Sequence, residues 1–270
     1  MQPAVDLSDL LSIAQVGVRR ASAFMALGLK VAADNEITSV QLDSNFRLQF
    51  MPEPLSVKQS AEVRDHFAKW IVANGLRELD QHFAAYADAI YPAFIVVGNG
   101  GKLPPDVDAR AKVMSNDTNL GNKLRRLQNE FELKLSYVTH IASLSYARNA
   151  ITHNLGRVAF RHCNEGMALK LQWRGMDLLV EGKAFSGAFE PFVVEEGGGV
   201  AVRFTDRTRT IQLGEVIDLS PHDLSEICLT FQQQAAEVHL GIVGYAKKMG
   251  IPVEVKGEPA AGTESTGGGQ

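Results

Sequence analysis

Residues 146–158 read YARNAITHNLGRV, and at this point an apolar helical pattern ends in a cluster of polar side chains. Asn149 and His153 are four positions apart and therefore lie on one face of the predicted helix, with Arg148 displaced from that face by one position. We expect all three side chains to point into one cleft. Gly156 follows the last periodic residue, where it can adopt the left-handed conformation that ends many helices.

The polar cluster resembles the signature of the HEPN superfamily, in which four residues separate an arginine from a histidine. The superfamily pattern often continues as His-Asn-x-Gly-x-Val, and residues 153–158 read HNLGRV. The resemblance implies a small helical bundle whose signature-bearing helix lies in the core and at a dimer interface. It also implies the activity of most HEPN enzymes, which is RNA cleavage without a metal or another cofactor.

The resemblance implies that Arg148 and His153 are catalytic and that Asn149 supports them. Metal-free RNA cleavage needs a base for the ribose 2′-OH, an acid for the leaving 5′-oxygen and positive charge beside the phosphate. A histidine can transfer protons near neutral pH, and an arginine fork can bind two phosphate oxygens. The predicted protein is therefore a metal-independent endoribonuclease that acts on RNA as a homodimer. The resemblance further suggests a toxin or anti-phage defence effector with an antitoxin or another regulatory partner.

Basic residues close to the signature predict where RNA would bind. Arg157 and Arg161 follow it and form a positive rim, and together with Asn154 they are the predicted RNA-binding residues. A second basic set precedes the signature, and neighbouring acidic residues lead us to expect an ordinary solvated helix face there. Its members are Lys123, Arg125, Arg126 and Lys134.

The same polar cluster also has a non-catalytic interpretation. Arg148, Asn149 and His153 can form an internal hydrogen-bond network that caps the helix and fixes dimer packing, because buried polar groups must be paired in any case. The protein would then be a HEPN-like dimer that binds a partner protein or a nucleotide without cleaving it. The remaining histidines show no metal-ligand spacing, so no metal site is predicted and each is expected to be a surface or packing residue. They are His66, His82, His140, His162, His222 and His239.

Composition sets the broad class of the protein. With 270 residues, of which 45% are hydrophobic and 21% charged, the chain can bury a substantial core. The 27 Lys and Arg residues are outnumbered by 31 Asp and Glu residues, so the formal net charge is −4. No global positive field attracts nucleic acid, and an RNA site must be a local patch.

Cysteine usage and hydropathy predict a cytoplasmic protein without a membrane segment. Cys163 and Cys228 are far apart and form no CxxC pair, which is typical of a reducing compartment. The longest apolar stretch, residues 89–101, is interrupted by Pro92. It is also shorter than the roughly 20 residues that a membrane-spanning helix needs.

Hydrophobic periodicity predicts a mainly α fold, a HEPN-like helical bundle with β-hairpin insertions. The β-hairpins are expected near residues 38–50 and 168–214, within one domain at residues 1–252, and residues 253–270 are predicted to be a disordered tail. Residues 119–153 fit either one long helix or a pair of helices. The predicted helical tracts are 6–33, 56–96, 119–153 and 220 onward, the last capped by Ser220.

Three local features add detail to this outline. The dipeptides 174–175 and 206–207 are predicted turns of two separate hairpins. Residues 98–118 are predicted to be a connecting loop, because they contain clustered glycines, two consecutive prolines and scattered charge. A phosphate-binding loop is not expected there, because the preceding strand, the glycine spacing and the Lys-Ser/Thr step are absent. Trp70 and Trp173 are expected to anchor the core.

Overall fold

The computed structural model describes residues 7–34, 39–41, 44–45, 47–49, 56–180, 183–185 and 199–252. This part of the chain is mainly helical with inserted β-hairpins, which confirms the predicted fold class. The predicted tail at residues 253–270 lies outside the described residues. The helices are α1 (Leu7–Ala33), α2 (Val57–Gly98), α3 (Val107–Asn116), α4 (Leu120–Glu130), α5 (Val138–Asn154) and α6 (Pro221–Lys248), with a 3-10 turn at Phe160–His162.

Helix α2 forms the centre of the fold. It packs against α1, α3, α4, α5 and α6, and its Phe83, Tyr86, Ile90 and Phe94 side chains are fully buried. Pro92 and Gly75 both lie inside this one continuous helix of 42 residues. A Cβ atom at Gly75 would lie 2.3 Å from Met25 Cγ of α1. The glycine therefore permits close packing of α1 against α2.

The predicted loop at residues 98–118 is wrong in its second half, which forms α3. Val107 and Met114 are the buried residues of this helix, and they lie seven positions apart on one face. Only two of the ten residues are buried, so the apolar periodicity of this segment is weak, which explains why the sequence does not predict the helix. Residues 119–153 resolve into a pair of helices, α4 and α5, separated by a turn in which Glu132 has a φ of 54°.

The predicted entry into α6 is confirmed. The Asp223 amide donates to Ser220 Oγ at 3.1 Å, and the Ser220 amide donates to Asp223 Oδ2 at 2.8 Å. This reciprocal arrangement is a capping box, with Pro221 in the first turn. Local sequence alone therefore determined where the helix begins.

The strands of the described residues are β1 (Ser39–Gln41), β2 (Arg47–Gln49), β3 (Ala168–Val180), β4 (Lys183–Phe185) and β5 (Val200–Gln212). They pair in two antiparallel sheets, the hairpin of β1 and β2 and a sheet with the order β4-β3-β5. The predicted turns at residues 174–175 and 206–207 are wrong, because both dipeptides lie inside strands, with Arg174 opposite Asp206.

The reason for this error lies at Gly175. A Cβ atom there would lie 2.3 Å from Arg207 Nε, so the glycine makes room for an arginine of the neighbouring strand. A glycine inside a strand often marks such a close approach of another group. That group comes from a distant part of the sequence, so the local sequence alone predicts a turn at residues 174–175.

The two tryptophans have different environments. Trp173 is buried as predicted, whereas Trp70 is half-exposed and contacts Phe24 and Phe67 on the surface.

Within the described residues, α1 contains the one stretch, Asp9–Ala33, that is long and apolar enough to cross a membrane by length and composition. This helix packs on α2 and α6. The cytoplasmic location stays a prediction.

Candidate functional site at the end of helix α5

The signature lies at the end of α5, where a left-handed turn reverses the chain. Helix α5 ends at Asn154, followed by Leu155 with a φ of 51° and Gly156 with a φ of 81°. The Gly156 amide donates to the Ala150 carbonyl at 3.1 Å, which closes the last turn. The left-handed turn thus begins one residue before the predicted glycine. Leu155 is left exposed next to His153, which is also exposed.

Backbone hydrogen bonds tie the chain after α5 to the loop before α6. The Val158 amide donates to the Glu215 carbonyl at 2.8 Å, and the Gly214 amide donates to the Val158 carbonyl at 2.8 Å. A third bond joins the Ile217 amide to the Gly156 carbonyl, also at 2.8 Å. The end of α5 is therefore fixed by a short antiparallel pairing.

A surface depression of about 450 Å³ opens where this pairing meets α2. His153 lies in its wall, so the predicted proton-transfer residue is accessible to a ligand. All the ionisable side chains that line the depression are basic or histidine, and no carboxylate of the described residues lines it. The lining residues are His66, Lys69, His153, Asn154, Leu155, Arg157 and Val216.

Arg148 has a different environment from His153. Its Nη2 atom donates to Asp80 Oδ2 of α2 at 2.6 Å, and the two side chains are only 22% and 11% exposed. The Ser145 hydroxyl donates to the other carboxylate oxygen of Asp80 at 2.8 Å. Arg148 and His153 are five positions apart, which on a helix corresponds to about 140° of rotation around its axis. Neither Arg148 nor the half-buried Asn149 lines the depression. The structure does not bring the three signature residues into one cleft of a single chain.

The predicted RNA-binding residues divide into two groups. Asn154 Nδ2 donates to the Arg157 carbonyl at 2.6 Å, and both residues line the depression with His153. Arg157 Nη1 donates to the Gly214 carbonyl at 2.6 Å, which holds the guanidinium at the rim. Arg157 also lines a second, adjacent depression of about 720 Å³. Arg161 lines neither depression.

Arg161 instead lies against His162, a buried histidine behind the site. Arg161 Nε is 3.1 Å from His162 Nε2, and the Ala159 amide donates to His162 Nδ1 at 3.0 Å. Burial lowers the pKa of His162, and the charges of Arg161 and His153 lower it further. This imidazole is therefore neutral at pH 7, and it supports the chain behind the site.

Two ionisable residues of the depression are not among the predicted site residues. The sequence predicts a surface or packing role for His66 and no role for Lys69. Their spacing of three positions places them on one face of α2, but no local signal linked that face to residues 153–157. Asp80 was also missed, although a carboxylate between the core residues Leu79 and Phe83 would have predicted a buried cationic partner.

The fold and the site define a mainly helical protein with a basic, histidine-lined depression at the end of its signature helix. No known protein family, curated protein or solved structure matches the chain. In the part of the chain that the structure describes, no group of three or more His, Cys, Asp or Glu side chains is placed to hold a metal ion.

Proposed function

We propose that the protein is a metal-independent endoribonuclease in which His153 transfers protons at the scissile phosphodiester. The observation that carries this proposal is the position of His153, which is exposed in the last turn of α5 and lines a depression to which the described residues contribute no carboxylate. The RNA backbone is a polyanion, and binding it requires a local set of cations. Arg157 and Lys69 supply those charges next to the imidazole.

The proposed reaction is an internal transesterification. The base takes the proton of the ribose 2′-OH, the 2′-oxygen bonds to phosphorus and the bond from phosphorus to the 5′-oxygen breaks. The 5′-oxygen then takes a proton from the acid, which leaves a 2′,3′-cyclic phosphate and a 5′-hydroxyl. Arg157 uses one of its five N–H donors on the Gly214 carbonyl, so the others remain for the phosphate oxygens.

The proposal includes a homodimer, which the resemblance to the HEPN signature implies. An isologous two-fold interface around the end of α5 would place the two copies of the signature close together. In that assembly Arg148 and Asn149 would reach the phosphate only if the Arg148 guanidinium released the Asp80 carboxylate and bound the RNA phosphate instead. Within one chain, Arg148 acts as a positioning residue that holds α5 against α2.

A second candidate function is a non-catalytic dimer that binds a nucleotide or a partner protein. The ion pair of Arg148 and Asp80 favours it, because the arginine of the signature is already satisfied inside the protein. In this alternative the basic depression binds an anionic group and releases it unchanged.

An RNA cleavage assay in the presence of EDTA separates the two functions. The wild-type protein should cleave, and His153→Ala should lose activity by about 100-fold or more, the range of a lost acid or base. Arg125→Ala, which changes an exposed residue of α4 outside the depression, is the control and should cleave like the wild type. Activity that disappears with the chelator, or that survives in His153→Ala, contradicts the proposal.

A further inference from the structure

Helix α2 brings a second histidine to the depression that contains His153. His66 is exposed and lies one turn before Lys69, and both side chains line the same wall. The volume of about 450 Å³ falls within the range of ordinary ligand pockets, about 300–1,000 Å³. The depression therefore presents two imidazoles, an ammonium and a guanidinium to a ligand the size of a nucleotide.

Lys69 is free to bind an anion despite its ion pair. Its ammonium lies 2.6 Å from Asp65 Oδ2, one turn away on the same helix, and the two side chains are 42% and 55% exposed. Exposed pairs of this kind stabilise a helix only weakly. Asp65 does not line the depression, so a phosphate can replace it as the partner of Lys69 at little cost.

The remaining lining residues suit the other parts of a nucleotide. Leu155 and Val216 are both exposed and give the depression an apolar edge, against which a ribose or a base can pack. Asn154 accompanies them, although its amide already donates to the Arg157 carbonyl. A polar centre can bind the phosphate of a nucleotide while the apolar edge contacts its ribose or base.

We propose that His66, Lys69, His153 and Arg157 form a phosphodiester site within one protomer, in which the two imidazoles are the acid and the base. This inference rests on the proposed function and names the residues that complete it. The neutral imidazole takes the proton of the 2′-OH, and the protonated imidazole gives a proton to the 5′-oxygen as the bond to phosphorus breaks. Lys69 and Arg157 bind the non-bridging oxygens, whose negative charge increases in the transition state.

The proposed site supplies a second proton-transfer group, which the signature of one chain lacks. Cleavage without a metal needs two proton-transfer groups at one phosphodiester, and the signature contributes one histidine per chain. His66 provides the second from α2. The acid and base pair then belongs to one chain, and dimerisation is not required for the chemical step.

The first test measures binding without depending on cleavage. The C–H resonances of the histidines are followed by NMR in EDTA during a titration with uridine 3′-monophosphate. We expect the His66 and His153 resonances to move together with one Kd, and Lys69→Ala to raise that Kd about tenfold, as the loss of one charged hydrogen bond implies. Lys102→Ala, an exposed lysine beyond the end of α2, is the control and should bind like the wild type. A response of only one histidine, or an unchanged Kd in Lys69→Ala, overturns the inference.

The second test uses RNA cleavage by His66→Gln and His153→Gln. Each variant should lose about 100-fold or more in rate, and the double variant should lose little more, because residues that act as a unit are not additive. The melting temperature of His66→Gln should not change, since the side chain is exposed. If the wild type cleaves and His66→Gln cleaves equally well, the inference fails and the proposed function stands. If the nucleotide moves both histidines but no RNA is cleaved, the acid and base roles and the proposed function both fail, and a phosphate-binding site remains.

Discussion

At the scale of single residues, the ion pair of Arg148 and Asp80 joins the signature helix to the centre of the fold. Removing one partner of a shielded pair leaves the other charge without compensation, which costs about 3–5 kcal/mol. We expect Asp80→Ala to lower the free energy of unfolding by an amount near the lower end of that range, because the Arg148 side chain retains 22% exposure. Urea unfolding monitored by circular dichroism measures the change.

The matched control for this prediction is Asp65→Ala, which removes the exposed partner of Lys69. Its effect should stay within about 0.5 kcal/mol, because exposed ion pairs contribute little to stability. Equal unfolding midpoints for the two variants would show that the Asp80 pair is no more important than a surface contact.

The buried histidine behind the site makes stability depend on pH. Burial and the charges of Arg161 and His153 lower the pKa of His162 in the folded state, so the unfolded chain binds the proton more readily. The corresponding stability is present above the unfolded pKa, about 6.5, and decreases as the pH falls below that value. Burial lowers the pKa of His140 and His239 as well, with the same sign. We therefore expect unfolding to become easier from pH 7 to pH 5.

Replacing the imidazole tests this dependence. In His162→Asn, the side-chain oxygen can still accept the hydrogen bond that the Ala159 amide donates to Nδ1 in the wild type, but asparagine does not titrate. The free energy of unfolding of the variant should vary less between pH 7 and pH 5 than that of the wild type, as measured by denaturant unfolding at each pH. Parallel curves for the two proteins would rule out His162 as a source of the pH dependence.

At the scale of elements, the antiparallel pairing of β3 with β5 depends on the absence of a side chain at Gly175. Arg207 fills that space and donates to Asp177 Oδ1 at 2.6 Å and to Glu226 Oε1 at 3.0 Å, so it cannot easily move away. We expect Gly175→Ala to destabilise the protein by about 1–3 kcal/mol, the usual cost of overpacking. The melting temperature reports the loss. Gly199→Ala, where no atom of the described residues beyond the chain neighbours lies within 4 Å of the new Cβ, should melt close to the wild type, and a similar result for Gly175→Ala would contradict the prediction.

Some features of the helices and strands could be predicted from neighbouring residues in the sequence, and others could not. The cap of α6 and the end of α5 were predictable because Ser220, Asp223 and Gly156 act on backbone atoms a few positions away. The strand containing Gly175 was not, because its reason lies in Arg207 on another strand. The site divides in the same way: His153, Asn154 and Arg157 belong to one short segment, whereas the residues that α2 contributes become neighbours only through folding.

At the scale of the whole molecule, the assembly is a separate prediction from the chemistry. The resemblance implies a two-fold dimer formed around the end of α5. Light scattering at micromolar concentration should therefore report twice the chain mass of 29.4 kDa. A mass of one chain under these conditions would remove the dimer from the proposal, and the one-protomer site of His66 and His153 would be unaffected.

Helix α2 is unevenly anchored along its length. Its 42 residues span about 63 Å at about 1.5 Å per residue, and its buried side chains begin only at Ile71. Amide hydrogen exchange should therefore be slow from Ile71 onward and fast in the turns before it, because local opening requires little energy where few side chains are buried. His66 and Lys69 lie in the fast part. A nucleotide that links them to the end of α5 would lengthen the exchange lifetimes there, and unchanged lifetimes at saturating uridine 3′-monophosphate would show that the ligand does not engage this end of α2.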